Sequence, residues 1–250
     1  MRVEVYDTEG EALDAAAEHL AAVLRGAGGA PLAALPGARS GRAFMMALAA
    51  RDDVPWEVAR WCVTHEIVVP GPGDERSAEL LRQEVVAPRR LPPEVAVLPD
   101  AGEDAAAVAC AYAERLAAQL GAGGTLAVVC VTLGPEGAVA GLGRCDEGAA
   151  APLVAYGPAV VSLSRQAIDA ATAVVVVATG SAVAPGVSLL LTDGDAAGRG
   201  APDVRPSPRV TWFADRRAVA NLLSTAQPAD EGGRSAGGLD RERSNADPHA

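Results

Sequence analysis

The segment Ala173–Ala178 reads Ala-Val-Val-Val-Val-Ala and has no polar side at all. A strand with one wet face alternates polar and apolar residues. A strand without that alternation is buried on both faces, the condition of a parallel sheet covered by helices. The remaining pattern agrees. Residues 2–6 form a short strand, and apolar positions from Leu13 to Leu24 recur at helical spacing until Gly26, Gly28 and Gly29 end the run. Residues 31–35 make the next strand, and a Gly/Ser turn at 36–41 leads into a helix at 42–50. The order then recurs: a strand at 63–69, a Pro/Gly loop at 70–73 and a helix at 77–86. A helix at 104–120 precedes a strand at 125–131 and a turn at 133–137; a strand at 160–164 and a short helix at 165–171 lead to 173–178. Alternating strands and helices with short connections predict the α/β class, as a single open, mostly parallel Rossmann-like sheet flanked by helices. Ligands of such sheets bind at the carboxyl ends of the strands, so turns 36–41, 65–73, 133–137 and 179–183 should converge on one crevice.

Half of the 250 residues are apolar, enough for a sizeable core, yet no apolar run approaches the ~20 residues that span a bilayer. Met1-Arg2-Val3-Glu4-Val5-Tyr6 reads as a strand and not as a leader, so a cytoplasmic protein without membrane contact is expected. A net charge of −11 repels phosphate backbones and argues against nucleic acid as a partner. A small anionic ligand is compatible, because it needs only a local set of donors. Cys62, Cys110, Cys130 and Cys145 match no CxxC pair or zinc ligand set, so buried reduced thiols and no metal are expected; nothing points to a cofactor. Residues 1–224 read as the α/β domain. The tail 225–250 is too poor in apolar residues to offset its ordering entropy and is expected to be disordered, and the Gly/Pro/Asp-rich loop 193–208 mobile.

Several stretches carry a more specific signal. The first βα turn is Leu35-Pro36-Gly37-Ala38-Arg39-Ser40-Gly41, followed by Arg42. After Trp56 comes Thr64-His65-Glu66-Ile67-Val68-Val69-Pro70, and a second acidic-basic run, Gly73-Asp74-Glu75-Arg76, precedes Ser77. Further on stand Thr132-Leu133-Gly134-Pro135-Glu136-Gly137-Ala138-Val139-Ala140-Gly141, then Gly157-Pro158-Ala159-Val160, Thr179-Gly180-Ser181-Ala182-Val183 and Val210-Thr211-Trp212-Phe213-Ala214-Asp215-Arg216. In this order and spacing, over roughly residues 2–223, the chain resembles the 6-phosphogluconolactonase/glucosamine-6-phosphate isomerase family, the closing Thr-Trp…Asp-Arg run being lactonase-like.

The resemblance implies a sugar phosphate or lactone as ligand and hydrolysis of 6-phosphogluconolactone in the pentose phosphate pathway as activity. It also exposes departures. The family's catalytic His falls on Ala138, which cannot transfer a proton, and its Asp on Glu136. The phosphate-binding Arg and Lys fall on Val160 and Val183, which offer neither charge nor donor. What survives for an anion is Gly37 and Ser40 at a helix N-terminus, with Arg39 and Arg42 as replacement cations or simply solvated arginines. His65 is the candidate relocated base, oriented by Glu66 or Glu136, or else a strand-end residue bonded to backbone. His19 is read as a surface residue, the three tryptophans as sheet packing, and Asp215 as a cap. Two functions follow: a lactonase-like protein with weak or lost activity, or a non-catalytic descendant binding a metabolite or a protein partner of unspecified kind.

Overall fold

The computed structural model describes residues 2–68, 76–142, 148–150, 152–192 and 204–226. Six strands form the main sheet: β1 (Arg2–Tyr6), β2 (Leu32–Leu35), β3 (Arg60–Val63), β5 (Val128–Thr132), β9 (Ala173–Ala178) and β10 (Val210–Asp215). They run in the order β1-β10-β9-β5-β2-β3, every pair parallel. The helices are α1 (Glu9–Gly26), α2 (Ala38–Ala49), α3 (Ser77–Leu81), α4 (Ala105–Leu120), α5 (Arg165–Ala170), α6 (Ala184–Thr192) and α7 (Ala220–Ala226). β9 shows why the sheet must be covered twice. Val174 and Val176 pack with Tyr112, Leu116 and Trp212 on one side, while Val175 and Val177 pack with Leu20, Trp61 and Phe213 on the other. Each buried valine contributes roughly 1.5–3 kcal/mol.

A second sheet, not anticipated from the sequence, stands beside the first. Its strands are β4 (His65–Ile67), β6 (Gly148–Ala150), β7 (Val154–Gly157) and β8 (Val160–Leu163), antiparallel in the order β4-β8-β7-β6. The expected single strand 63–69 is therefore two strands in two sheets. The switch falls at Thr64, whose N–H donates to Leu35 O in the main sheet at 2.8 Å while its carbonyl accepts from Leu163 N in the second at 2.7 Å. Likewise Val160–Leu163 is one arm of a hairpin: only two residues, Pro158 and Ala159, separate it from β7, too few for a parallel crossover.

Helix ends follow their sequence signals. Thr8 opens α1 in a reciprocal capping box with Glu11, and Asp104 caps α4 through the N–H groups of Ala106 and Ala107. Further expectations need correction. His19 is half-buried, its ring 5.4 Å from that of Phe213. Cys62 and Cys130 are buried free thiols, but Cys110 is exposed on α4; Cys145 lies outside the described residues. Within the loop expected to be mobile, Val204 is buried and its carbonyl accepts from Trp212 Nε1 at 2.7 Å; residues 193–203 lie outside the described part. Helix α7 runs into the first residues of the expected tail, to Ala226, and residues 227–250 lie outside the described part. No helix among the described residues is long and apolar enough to cross a membrane.

The turn after β5 is seated directly on α6. Gly137 has φ 78°, and a Cβ at Gly186 would lie 2.5 Å from Gly137 N and 2.7 Å from Gly134 O. Both contacts are with backbone, which cannot swing aside. Gly186→Ala is therefore expected to destabilise the fold by about 1–3 kcal/mol through overpacking, measurable as a lower Tm in thermal unfolding.

Candidate functional site

Of the four expected turns, 36–41 meets 65–73 at His65, and the segment just past 133–137 reaches the same residue through Gly141. The β2–α2 turn comes so close that a Cβ at Gly37 would lie 1.9 Å from Ser77 Oγ and 2.8 Å from the His65 carbonyl. From the other side, Gly141 (φ 73°) lies against the His65 ring and Val160, a Cβ there falling 3.5 Å from His65 Cγ and 3.4 Å from Val160 Cγ1. The turn after β9 joins through α6, whose Gly186 supports Gly134 and Gly137. That turn is itself pinned by Asp215, buried at the end of β10: its Oδ1 accepts from Gly180 N at 3.0 Å and from Ala218 N at 2.8 Å. Asp215 thus caps the chain leaving β10 and holds the crevice wall at the same time.

Hydrogen bonds fix the centre of this arrangement. The Ser162 hydroxyl, fully buried on β8, reaches Ala140 O at 2.7 Å and Thr64 O at 3.2 Å. It ties the second sheet to the turn at Ala140, where the backbone takes a left-handed conformation without glycine, at φ 52°. Thr64 Oγ1 stands 3.3 Å from His65 Nδ1. Tyr112 on α4 holds the strand switch from behind, donating to Val63 O at 2.8 Å and accepting from Val63 N at 3.3 Å. Ser77, Gly141 and Ser162 shape the crevice as much as His65 does. Ser77 was visible in the sequence as a motif match; Gly141 and Ser162 carried no such signal.

His65 and Glu66 are neighbours in sequence but not in the site. Successive strand residues point to opposite faces. His65, with its cross-strand partner Ser162, faces the 133–141 turn, whereas Glu66 pairs with Val161, which belongs to the cluster under α4. Glu66 is fully buried and accepts from Ser77 N and Ile67 N on Oε1 and from Ala78 N on Oε2, each at 2.9 Å, with Arg76 Nη2 3.5 Å from Oε2. Its carboxylate is the acceptor for the first turn of α3, so its geometry serves that helix and not the imidazole. Glu136 is exposed on its turn. Arg42 is directed to Glu84 at 2.8 Å, an ion pair joining α2 to the π-helical turn Arg82–Val86. Arg39 and Ser40 lie in the first turn of α2, their side chains outside the described part, as are residues 73–75 of the second acidic-basic run. Gly37 is the N-cap of α2 and offers no side-chain acceptor, which leaves the first-turn N–H groups to other partners. Among the described residues no group of three His, Cys, Asp or Glu side chains could hold a metal ion.

Burial raises the Glu66 carboxyl above its ordinary range, against the pull of the Ala78 N–H, Arg76 and the Ser77 and Ile67 N–H groups. A carboxyl raised on folding contributes stability that is present below the unfolded value of 4.5 and is lost as pH rises through the folded value. The stability of the wild type minus that of Glu66→Gln is accordingly expected to fall as pH rises above 4.5 in urea titrations. A difference that rises with pH would mean that the N–H donors outweigh burial.

Comparison with known proteins agrees with this architecture. The family model described as glucosamine-6-phosphate isomerases/6-phosphogluconolactonase matches residues 7–212. No curated protein matches by sequence. Among solved structures, 6-phosphogluconolactonase from Trypanosoma brucei is 21% identical with a TM-score of 0.69, covering 88% of this chain and 98% of its own. The 6-phosphogluconolactonase from Trypanosoma cruzi is 19% identical with a TM-score of 0.74, covering 88% and 96%. A monomeric glucosamine-6-phosphate deaminase is 16% identical with a TM-score of 0.70, covering 88% and 99%. At these identities the structures speak for the fold alone, and the family match, which spans most of the chain, decides membership: this chain belongs to the glucosamine-6-phosphate isomerase/6-phosphogluconolactonase family.

Proposed function

We propose that this chain is a 6-phosphogluconolactonase-like protein of carbohydrate metabolism that takes a sugar phosphate or sugar lactone in the crevice around His65, and whose lactone hydrolysis is weak or lost. The observation that carries this reading is Ala138. The glycine-built turn that bears the family's catalytic imidazole is intact, with Gly137 N donating to Gly134 O at 3.0 Å and Gly134 N to Ala138 O at 2.8 Å, yet the side chain at its tip is a methyl group. Hydrolysis of a lactone needs a base to take a proton from water as its oxygen attacks the carbonyl carbon, and a methyl group cannot accept one. The cationic side follows the same course. Val160 and Val183 stand at the family's Arg and Lys positions, and Arg42 is engaged with Glu84. What remains for a phosphate is the N-terminus of α2, whose N–H groups bind anions without side-chain help.

A second reading keeps the enzyme alive. His65 stands where the turns meet, half-buried and close to Thr64 Oγ1, and an imidazole there could take the proton that Ala138 cannot. The two readings part on one assay, hydrolysis of freshly generated 6-phosphogluconolactone above its spontaneous rate. The first expects less than about one hundredth of the rate of an active family member, unchanged in His65→Ala, because general-base catalysis typically supplies 10²–10⁴-fold. Rapid turnover abolished by His65→Ala would replace it with the relocated-base enzyme. The converse variant, Ala138→His, is expected to raise the rate, since the turn geometry that presents the residue is already in place.

A further inference from the structure

The face of β4 opposite the crevice carries a second charged cluster. Arg76, the N-cap residue of α3, donates from Nη2 to the Asp100 carbonyl at 3.0 Å. Arg115, near the end of α4, donates from Nη1 to Asp100 Oδ1 at 2.9 Å. One aspartate thus draws two guanidinium groups together, and Arg115, Arg76 and Arg82 all hold its carboxyl below the ordinary range. The two carboxylates of this cluster, Glu66 and Asp100, are already committed. Glu66 is occupied by three backbone N–H groups, and Asp100 by Arg115.

The donors left over have a definite shape. Arg115 Nε and Nη2, and Arg76 Nε, are shielded from solvent and meet no acceptor among the described residues. Buried donors in native proteins are almost always paired, so each of these asks for an explanation. Nε and Nη2 of one guanidinium form the parallel fork that fits two oxygens of a carboxylate or a phosphate. The other edge of the same guanidinium, Nη1, is the one anchored to Asp100, which fixes the plane of the fork. With 38% of the Arg115 side chain and 23% of the Arg76 side chain in solvent, both side chains reach the surface.

We propose that Arg76 and Arg115 form an oxoanion-binding site, separate from the crevice, which takes a small phosphate or carboxylate ligand on the Nε/Nη2 fork of Arg115 with Arg76 Nε as a further donor. Glu66 separates the two places: its neighbour His65 faces the crevice, while its own carboxylate lies 3.5 Å from Arg76. The site does not depend on whether the crevice is catalytic.

The test is calorimetric titration of the full chain with inorganic phosphate and, separately, with acetate, at one ionic strength maintained with chloride. Saturable binding of either anion to the wild type is expected, and the anion that binds names the source chemistry. Arg115→Lys keeps a cation opposite Asp100 but has no fork, and is expected to weaken binding at least tenfold. Arg42→Gln, on the crevice side, is expected to leave it unchanged. If Arg115→Lys does not fold, Arg76→Lys serves the same purpose with a smaller expected loss. Absence of saturable binding to folded wild type overturns the site. So does binding that survives Arg115→Lys undiminished, which would put the anion elsewhere, the crevice included.

Discussion

The crevice depends on one residue that belongs to two sheets. Thr64 closes the main sheet by donating to Leu35 O and starts the second by accepting from Leu163 N, so the chain turns from one layer into the other without a loop. That turn costs no backbone hydrogen bond, because each polar group of Thr64 finds a partner in a different sheet. Everything near His65 inherits its position from the switch. Tyr112 braces it from α4, Ser162 binds its carbonyl from β8, and Gly37 packs on the carbonyl of the residue that follows it. A strand simply continuing β3 would have carried His65 along the main sheet, away from Gly141 and Val160.

The same switch marks where sequence reasoning reached its limit. The parallel sheet was legible because β9 offers four consecutive valines and no polar face, a signal contained in the residues themselves. Helices α1 to α5 were legible because apolar spacing and turn signals are local, whereas α6 was not read from the sequence. Residues 63–69 read as one strand because periodicity records burial, not which sheet provides it; the partners that divide the segment, Leu35 and Leu163, lie far off in sequence. The antiparallel hairpin was in principle legible, since two residues between Gly157 and Val160 cannot support a parallel crossover. His65 and Glu66 invited reading as a pair through adjacency alone. Period-two geometry separates them, and the buried acceptor needed by α3 claims Glu66. His19 was expected at the surface, but the gap between α1 and the edge strand lets its ring settle on Phe213.

Which family positions survived also has a physical reason. Gly37, Gly137 and Gly180 are retained, and each is required by the backbone: Gly37 by the contact with Ser77 and His65, Gly137 and Gly180 by positive φ, and all three without regard to any ligand. Asp215 is required likewise, because N–H groups on two different segments, one buried and one half-buried, depend on it. Of the positions at which the resemblance expects other residues, Val160 is buried and packed against Gly141, while Ala138 is exposed at the tip of its turn.

Fold and chemistry can therefore separate cleanly in this architecture. The turns that present catalytic side chains are shaped by glycines, by Asp215 and by the carbonyls of Thr64 and His65, none of which takes part in proton transfer. A chain can keep the presenting surface long after the presented groups have gone, and family membership then certifies the crevice without certifying the reaction. For the same reason new chemistry at the crevice requires few changes. An imidazole at position 138 would arrive on a turn already held by Gly134, Gly137 and Gly186, and the imidazole of His65 already stands against Gly141, at the end of that segment.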